Sequence, residues 1–276
     1  MKKEEVRKVV REGYTQVARS GSSCCVPQSP CCGAANAAAD ISKKIGYTDE
    51  DMQSVPEGAN LGLGCGNPVA LASLKEGDIV LDLGSGAGFD CFLAANRVGK
   101  TGKVIGIDMT PEMVEKAREN ARRGGYENVE FRLGEIENLP VADNQVDLVI
   151  SNCVINLSPD KDRVFHEAFR VLKPGGRLMV SDMVLVSELP GSIKNSAAAY
   201  IGCLAGAIML DEYLEAINAV GFKQIRIIDE ASLATDYTPK DTVVQALNDS
   251  GVSCADLKKL GSSVRSLKVQ AVKPDK

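Results

Sequence analysis

Thiols and carboxylates carry most of the chemistry available to this sequence. Nine cysteines and one histidine occur in 276 residues. Four cysteines form two vicinal pairs, Cys24–Cys25 and Cys31–Cys32, in "SGSSCCVPQSPCCGAAN", a Gly/Ser/Pro context that favours neither helix nor strand. Such pairs suit a disulfide staple, a metal clip or thiol redox chemistry. Cys65 stands between glycines in "LGLGCGNP", Cys153 follows an apolar run in "VDLVISNCV", and Cys203 lies in "YIGCLAGAIM". Cys91 and Cys254 complete the set; Cys91 reads as packing and Cys254 as incidental. A second constellation is "DLGSGAG", in which Asp82, Gly84, Ser85, Gly86 and Gly88 lead from an apolar run into a helical one. Glycines there let a ligand approach the backbone closely. The G-x-G-x-G spacing differs from a pyrophosphate loop, and Asp82 would repel a pyrophosphate while suiting an ammonium group. Asp108, at the tip of the next apolar run, is placed to bind a ribose hydroxyl pair.

Composition narrows the uses. A formal charge of -5 with interspersed signs argues against a nucleic-acid partner. No apolar run reaches the length of a membrane span. The opening "MKKEEVRKVVREGY" is charged and helix-periodic at Val6, Val9 and Val10, with no apolar h-region, so a cytoplasmic location is expected. Thiols stay reduced in that compartment, which favours metal binding or thiol chemistry over structural disulfides.

These residues need a frame. The segment from about Ser20 to Gln53 reads as poorly structured. From Asp78 onward, "DIVLDL", "KVIGIDMT", "NVEFRLGE", "VDLVISNCV" and "RLMVSDMV" read as strands. Helices alternate with them, including "PEMVEKARENARRGG" with Thr110 as N-cap and Pro111 at its first position. The alternation predicts an α/β fold with a doubly wound, mostly parallel sheet. After Pro190 the rhythm changes, and "QIRIID" and "SLKVQAVK" are candidate late strands for the sheet's far edge. Three units are expected: an N-terminal helix with a mobile Cys-rich segment (1–60), a Rossmann-like cofactor domain (61–190) and a substrate-covering C-terminal region (191–276).

"VLDLGSGAG", "GIDMT", "LGEIENLP" and "LKPGG" together resemble class I S-adenosylmethionine-dependent methyltransferases, with their seven-stranded sheet. The resemblance implies that Asp82, Gly84, Ser85, Gly86 and Gly88 hold the methionine moiety and Asp108 the ribose. Met109 would cover one adenine face, Glu135 and Ile136 would meet the adenine edge, and Asn152 would lie near the methionine end. An NAD-dependent oxidoreductase is the alternative for such a core. His166, in "KDRVFHEAFRVL", lies off that helix's apolar face and reads as solvated. The lack of an evident general base points to an acceptor that needs no proton removed.

Cys65, Cys153 and Cys203 suggest which acceptor. Three thiolates suit a soft, three-coordinate centre such as trivalent arsenic, whose lone pair can attack a sulfonium methyl directly. Zinc would use the same ligands, but a structural zinc site normally takes four and often shows C-x-x-C spacing, so no structural metal is expected. "GLGCGNP", "DLGSGAGFDC", "GIDMT", "SNCVINLSPDK", "VLKPGG" and "GCLAGA" closely resemble arsenite S-adenosylmethionine methyltransferases. Leu63 departs from relatives that carry an aromatic residue there. The family implies that Cys65, Cys153 and Cys203 bind As(III), taken as arsenite or a thiol conjugate. It also implies that an N-terminal cysteine, Cys32 first and Cys31 next, joins a disulfide relay reopened by thioredoxin-like or glutathione reductants. S-adenosylhomocysteine would be the coproduct. Lowered thiol pKa values are expected to speed the exchange of arsenic onto the protein. Rival readings are a C- or O-methyltransferase of a small metabolite and a non-catalytic metalloid or thiol redox sensor.

Overall fold

The computed structural model describes residues 3–20, 34–194, 196–232 and 254–275. The sheet grows from the runs read above: β1 (Ile79–Leu83), β2 (Lys103–Asp108), β3 (Val129–Leu133), β4 (Val146–Asn152), β5 (Leu172–Leu185), β6 (Lys223–Ser232) and β7 (Val264–Val272). Their order is β3-β2-β1-β4-β5-β7-β6. The first five pair in parallel, while β7 runs antiparallel between β5 and β6. Four of the five residues of β1 are buried, as an apolar central strand covered on both faces requires. The two late strands thus sit at the far edge, as their sequence suggested.

Helices close both faces. α1 (Lys3–Ser20), α2 (Ala34–Lys44), α3 (Asp49–Gln53) and α4 (Pro68–Leu71) precede β1. α5 (Phe89–Val98), α6 (Pro111–Gly124) and α7 (Lys161–Val171) fill the crossovers, with a single 3-10 turn at Ile155–Leu157. α8 (Gly191–Lys194), α9 (Ala197–Ile201), α10 (Leu210–Ala219) and α11 (Cys254–Ser263) follow β5. Thr110 is the N-cap of α6 with Pro111 behind it, and Gly125 ends the helix in the left-handed region at φ 68°.

One expectation is corrected. The stretch read as poorly structured to Gln53 holds two helices in its described part. Alanine dominates α2, where helix formation costs little side-chain entropy. The short α3 is held by a capping box, in which Thr48 accepts from Asp51 N and Asp51 accepts from Thr48 N. Both vicinal cysteine pairs lie outside the described residues.

Topology then fixes where chemistry can occur. β1 is flanked by β2 on one side and β4 on the other, so chain direction diverges at their carboxyl ends and opens a crevice. Leu83 pairs with Ser151, and Asn152 pairs with Ser181. The glycine loop and Cys153 therefore leave adjacent strands at one edge, with Asp182 of β5 beside Cys153. α1 packs on α6 and α9 across that edge.

Candidate active site

A cavity of about 230 Å³ runs along this edge, from Asp108, Met109 and Ile136 past Gly84 and Gly86 to Cys153 and Cys203. A smaller one beside it is lined by Asp82, Ser85, Asp90 and Asn152, and shares Leu63, Gly64, Gly84 and Gly86 with the first. Ser85 Oγ is buried with no hydrogen-bond partner among the described residues, and it lines the smaller cavity together with the buried Asp82. Gly86, at φ 52°, leaves open space where a side chain would begin. An orphaned hydroxyl, an acid and a bare backbone turn fit the zwitterionic end of an amino-acid ligand. Asp108 is already anchored, since its carboxylate accepts from Gly86 N at 2.9 Å and Thr110 N at 2.8 Å. It keeps lone pairs for a diol. Glu135 faces Arg7 and Arg11 instead, while Glu137, two residues on, borders the cavity.

Burial raises the pKa values of these acids. Asp82 is pushed well above the usual carboxylate range, first by burial and then by the Asp90 charge. Burial also lifts Asp108, and it lifts Asp90 to about 6. Cys91, read as packing, is fully buried and its thiol donates to Asp82 Oδ2 at 3.2 Å. A group raised in this way binds its proton more tightly folded than unfolded. For Asp90 the folded chain therefore carries the extra proton between about pH 4, its unfolded value, and about 6. The ligand-free protein is expected to lose stability as pH rises through that window. Urea midpoints of the parent and Asp90→Asn check this; equal slopes in both would remove Asp90 as the cause.

Asn152 joins the two cavities. Its Oδ1 accepts from Cys65 N at 2.9 Å. Its Nδ2 faces Gly66 O at 2.8 Å, Tyr47 Oη at 2.9 Å and Asp90 Oδ2 at 3.1 Å. Tyr47 donates in turn to Asp90 Oδ1 at 2.6 Å. The Cys65 loop is held from its other side by Ser266, which donates to Cys65 O at 2.8 Å. A side chain at Gly66 would collide with the Ser181 hydroxyl, so the loop can lie this close to β5 only with glycine there.

Cys65, Cys153 and Cys203 are all buried and free, and they share one apolar cluster. Cys153 N donates to Ser181 O at 2.7 Å, and Cys203 Sγ donates to Cys153 O at 2.8 Å. Cys65 Sγ lies 3.7 Å from Ser181 Oγ. Cys153 and Cys203 adopt φ 60° and 61°, in the left-handed region that favours glycine. The expected acidification of the thiols is not met. Hydrogen bonding with Cys203 and Cys65, followed by burial, pushes Cys153 well up, and burial raises Cys65. Burial is the shared cause, since it disfavours the thiolate at both Cys65 and Cys153.

Several contributors escaped sequence reading. Arg7, Val10 and Tyr14 of α1 line the larger cavity. Arg7 Nη2 reaches the buried Glu137 at 3.4 Å, and Ser158 donates to the same carboxylate at 2.7 Å. Asp182, 1% exposed, accepts from Tyr213 at 3.2 Å beside the thiols. The capping box at Thr48 was a readable signal for the turn that carries Tyr47; Asp182, inside β5, had none. His166 is exposed on α7, as read.

A methyltransferase-domain model matches residues 74–230. The chain is 46% identical to an arsenite methyltransferase of Halobacterium salinarum, over 98% of this chain and 67% of that protein. It is 37% identical to one of Aquipseudomonas alcaligenes, over 82% of this chain and 64% of that protein. It therefore spans about two thirds of the length of these curated relatives. Among solved structures, an arsenic(III) S-adenosylmethionine methyltransferase from Chlamydomonas reinhardtii superposes with a TM-score of 0.62 at 33% identity, covering 86% of this chain and 73% of that one.

Proposed function

The chain belongs to the arsenite methyltransferases within the methyltransferase-domain family, and we propose that it methylates trivalent arsenic held by Cys65, Cys153 and Cys203. The observation that carries this reading is the gathering of three buried thiols, from three separate segments, in one apolar cluster, with Cys153 and Cys203 lining the same cavity as Asp108.

Neutral thiols suit a neutral acceptor. Arsenous acid loads by As(OH)3 + 3 RSH → As(SR)3 + 3 H2O. Three As–O bonds break, three As–S bonds form, and no net charge enters a buried site. A thiol conjugate of arsenite would load by the same exchange, releasing its own thiols. Cys203 must turn from the Cys153 carbonyl to join the other two. The arsenic lone pair then points away from the three sulfurs, and the apolar lining from Met183, Leu157 and Val10 keeps water from it.

Asp82, Ser85 and the Gly84–Gly86 turn would hold the methionine end of S-adenosylmethionine, and Asp108, Met109 and Ile136 its nucleoside. When bound, it supplies an electrophilic sulfonium methyl group. Asn152, bonded to the Cys65 backbone and to the wall of the smaller cavity, keeps acceptor and donor in register. No side chain needs to remove a proton from the attacking atom, in keeping with an exposed His166.

Transfer takes arsenic formally from the trivalent to the pentavalent state. Two protein thiols, with Cys32 or Cys31 as one partner, return two electrons, become a disulfide and release two protons. A thioredoxin-like protein or glutathione reopens that disulfide. The biological role read from this cycle is arsenic detoxification.

Purified protein incubated with arsenite, S-adenosylmethionine and a thiol is expected to yield methylated arsenicals by mass spectrometry. Cofactor turnover with no methylarsenical would overturn the reading. Activity on an organic metabolite that survives combined Cys153→Ser and Cys203→Ser would assign a carbon or oxygen acceptor instead.

A further inference from the structure

The tightest donor set in this pocket is not the three thiols. Cys65 Sγ, Cys153 Sγ and a carboxylate oxygen of Asp182 all lie within 4.8 Å of one another, and all three residues are buried. Cys203 falls outside that group, its thiol spent on the Cys153 carbonyl. We propose that Cys65, Cys153 and Asp182 form a mixed sulfur–oxygen site for a divalent thiophilic cation such as Zn2+ or Cd2+, which blocks the pocket without using Cys203.

The geometry follows from the sheet. Asn152 of β4 pairs with Ser181 of β5, so the next residues lie side by side, Cys153 just past the end of β4 and Asp182 still within β5. Cys65 is fixed opposite them by Asn152 and by Ser266 of β7. Bonds of about 2.0–2.3 Å to a tetrahedral cation place neighbouring donor atoms roughly 3.3–3.8 Å apart. Donors already within 4.8 Å need close by only about 1 Å. Asp182 is 1% exposed, and its hydrogen-bond partners are neutral, the Tyr213 hydroxyl and Met183 N. Among the described residues no ammonium or guanidinium group lies within 4.0 Å of it; the Lys161 ammonium acts on it electrostatically from farther away, so a cation would be its first directly bonded counter-charge.

Ligand chemistry separates the two occupants. Arsenic(III) takes three soft sulfurs and leaves its fourth direction to a lone pair, with little use for a carboxylate. A closed-shell dication takes four donors and accepts sulfur and oxygen together, water completing the set. Asp182 thus supplies the third ligand in place of Cys203, and water the fourth. Two thiols must shed protons to solvent as the cation binds, so its affinity rises with pH. Arsenous acid loads without such release. The cation site requires no methyl transfer and stands apart from the proposed activity; only competition with arsenite rests on that reading.

The test is Cd2+ titration of the full chain carrying Cys24→Ser, Cys25→Ser, Cys31→Ser and Cys32→Ser, which removes competing thiols. Sulfur-to-metal absorbance is expected to saturate at one Cd2+. Asp182→Asn is expected to weaken binding by about 100-fold or more, beyond the 10–100-fold cost of losing an outer-shell partner. Cys203→Ser should stay within the same order of magnitude as the background protein. Equal affinity in Asp182→Asn, or a loss in Cys203→Ser as large as in Cys65→Ser, would overturn the proposal. Cadmium NMR of the unsubstituted site gives a check that does not depend on how Asp182→Asn folds. A resonance of mixed sulfur–oxygen ligation is expected, and one of three or four sulfurs would refute the site.

Discussion

Cys153→Ser is expected to abolish arsenic methylation while leaving the fold and the cofactor site intact. Serine is close to cysteine in shape, and the backbone bond from residue 153 to Ser181 O does not depend on the side chain. What is lost is a soft ligand, and a hydroxyl at neutral pH has neither the affinity for arsenic nor the thiol's capacity to join a disulfide. Arsenite affinity should fall by more than the roughly 10–100-fold that an outer-shell loss costs. S-adenosylmethionine affinity should change little, because the cysteine stands at the far end of the cavity from Asp108. Binding of both ligands by calorimetry, with product analysis, separates the outcomes. Unimpaired methylation would remove Cys153 from the site, and parallel loss of both affinities would point to misfolding.

The second large effect is expected at Asn152. Asn152→Ala leaves Cys65 N without its acceptor and removes the amide donor from Gly66 O, Tyr47 Oη and Asp90 Oδ2, while Tyr47 still donates to Asp90 Oδ1. Each buried polar group deprived of its partner costs about 1–3 kcal/mol. Asn152→Asp should be worse. It can still accept from Cys65 N, but it places a second carboxylate where 3.1 Å now separates the amide from Asp90, which is already lifted by burial. Both variants should weaken arsenite and S-adenosylmethionine together, unlike Cys153→Ser. The expected order of thermal stability is parent, then Asn152→Ala, then Asn152→Asp. The reverse order of the two variants, or weakening of one ligand alone, would show that Asn152 does not couple the cavities.

Residues whose roles depend on local backbone were readable in advance. Strand, glycine turn and helix follow one another within "IVLDLGSGAGFDCF", so Asp82 and Gly86 could be placed from spacing alone. Asp108 and Cys153 were legible because each ends a run of buried apolar residues. Contacts spanning long separations were not. Arg7 meets Glu137 across 130 residues and Cys65 meets Ser266 across 201, and no local pattern encodes such pairs. Asn152 was expected beside the methionine end, but its bond to the Cys65 backbone depends on a loop 87 residues earlier. The acidity of the thiols was misjudged for a related reason. It depends on what surrounds them in space, and Cys65 and Cys153 are buried in an apolar cluster with other thiols in reach.

The left-handed backbone at Cys153 and Cys203 bears on how such a sequence persists. A residue with a Cβ held there costs on the order of 1–3 kcal/mol, which glycine would largely avoid. Selection for stability alone would let both positions drift toward glycine or asparagine. Homologues that have lost the thiol chemistry but kept the fold should show those residues first at positions 153 and 203, ahead of change at Cys91, whose packing the fold itself requires. Two backbone angles thus make these positions a record of whether the chemistry is still in use.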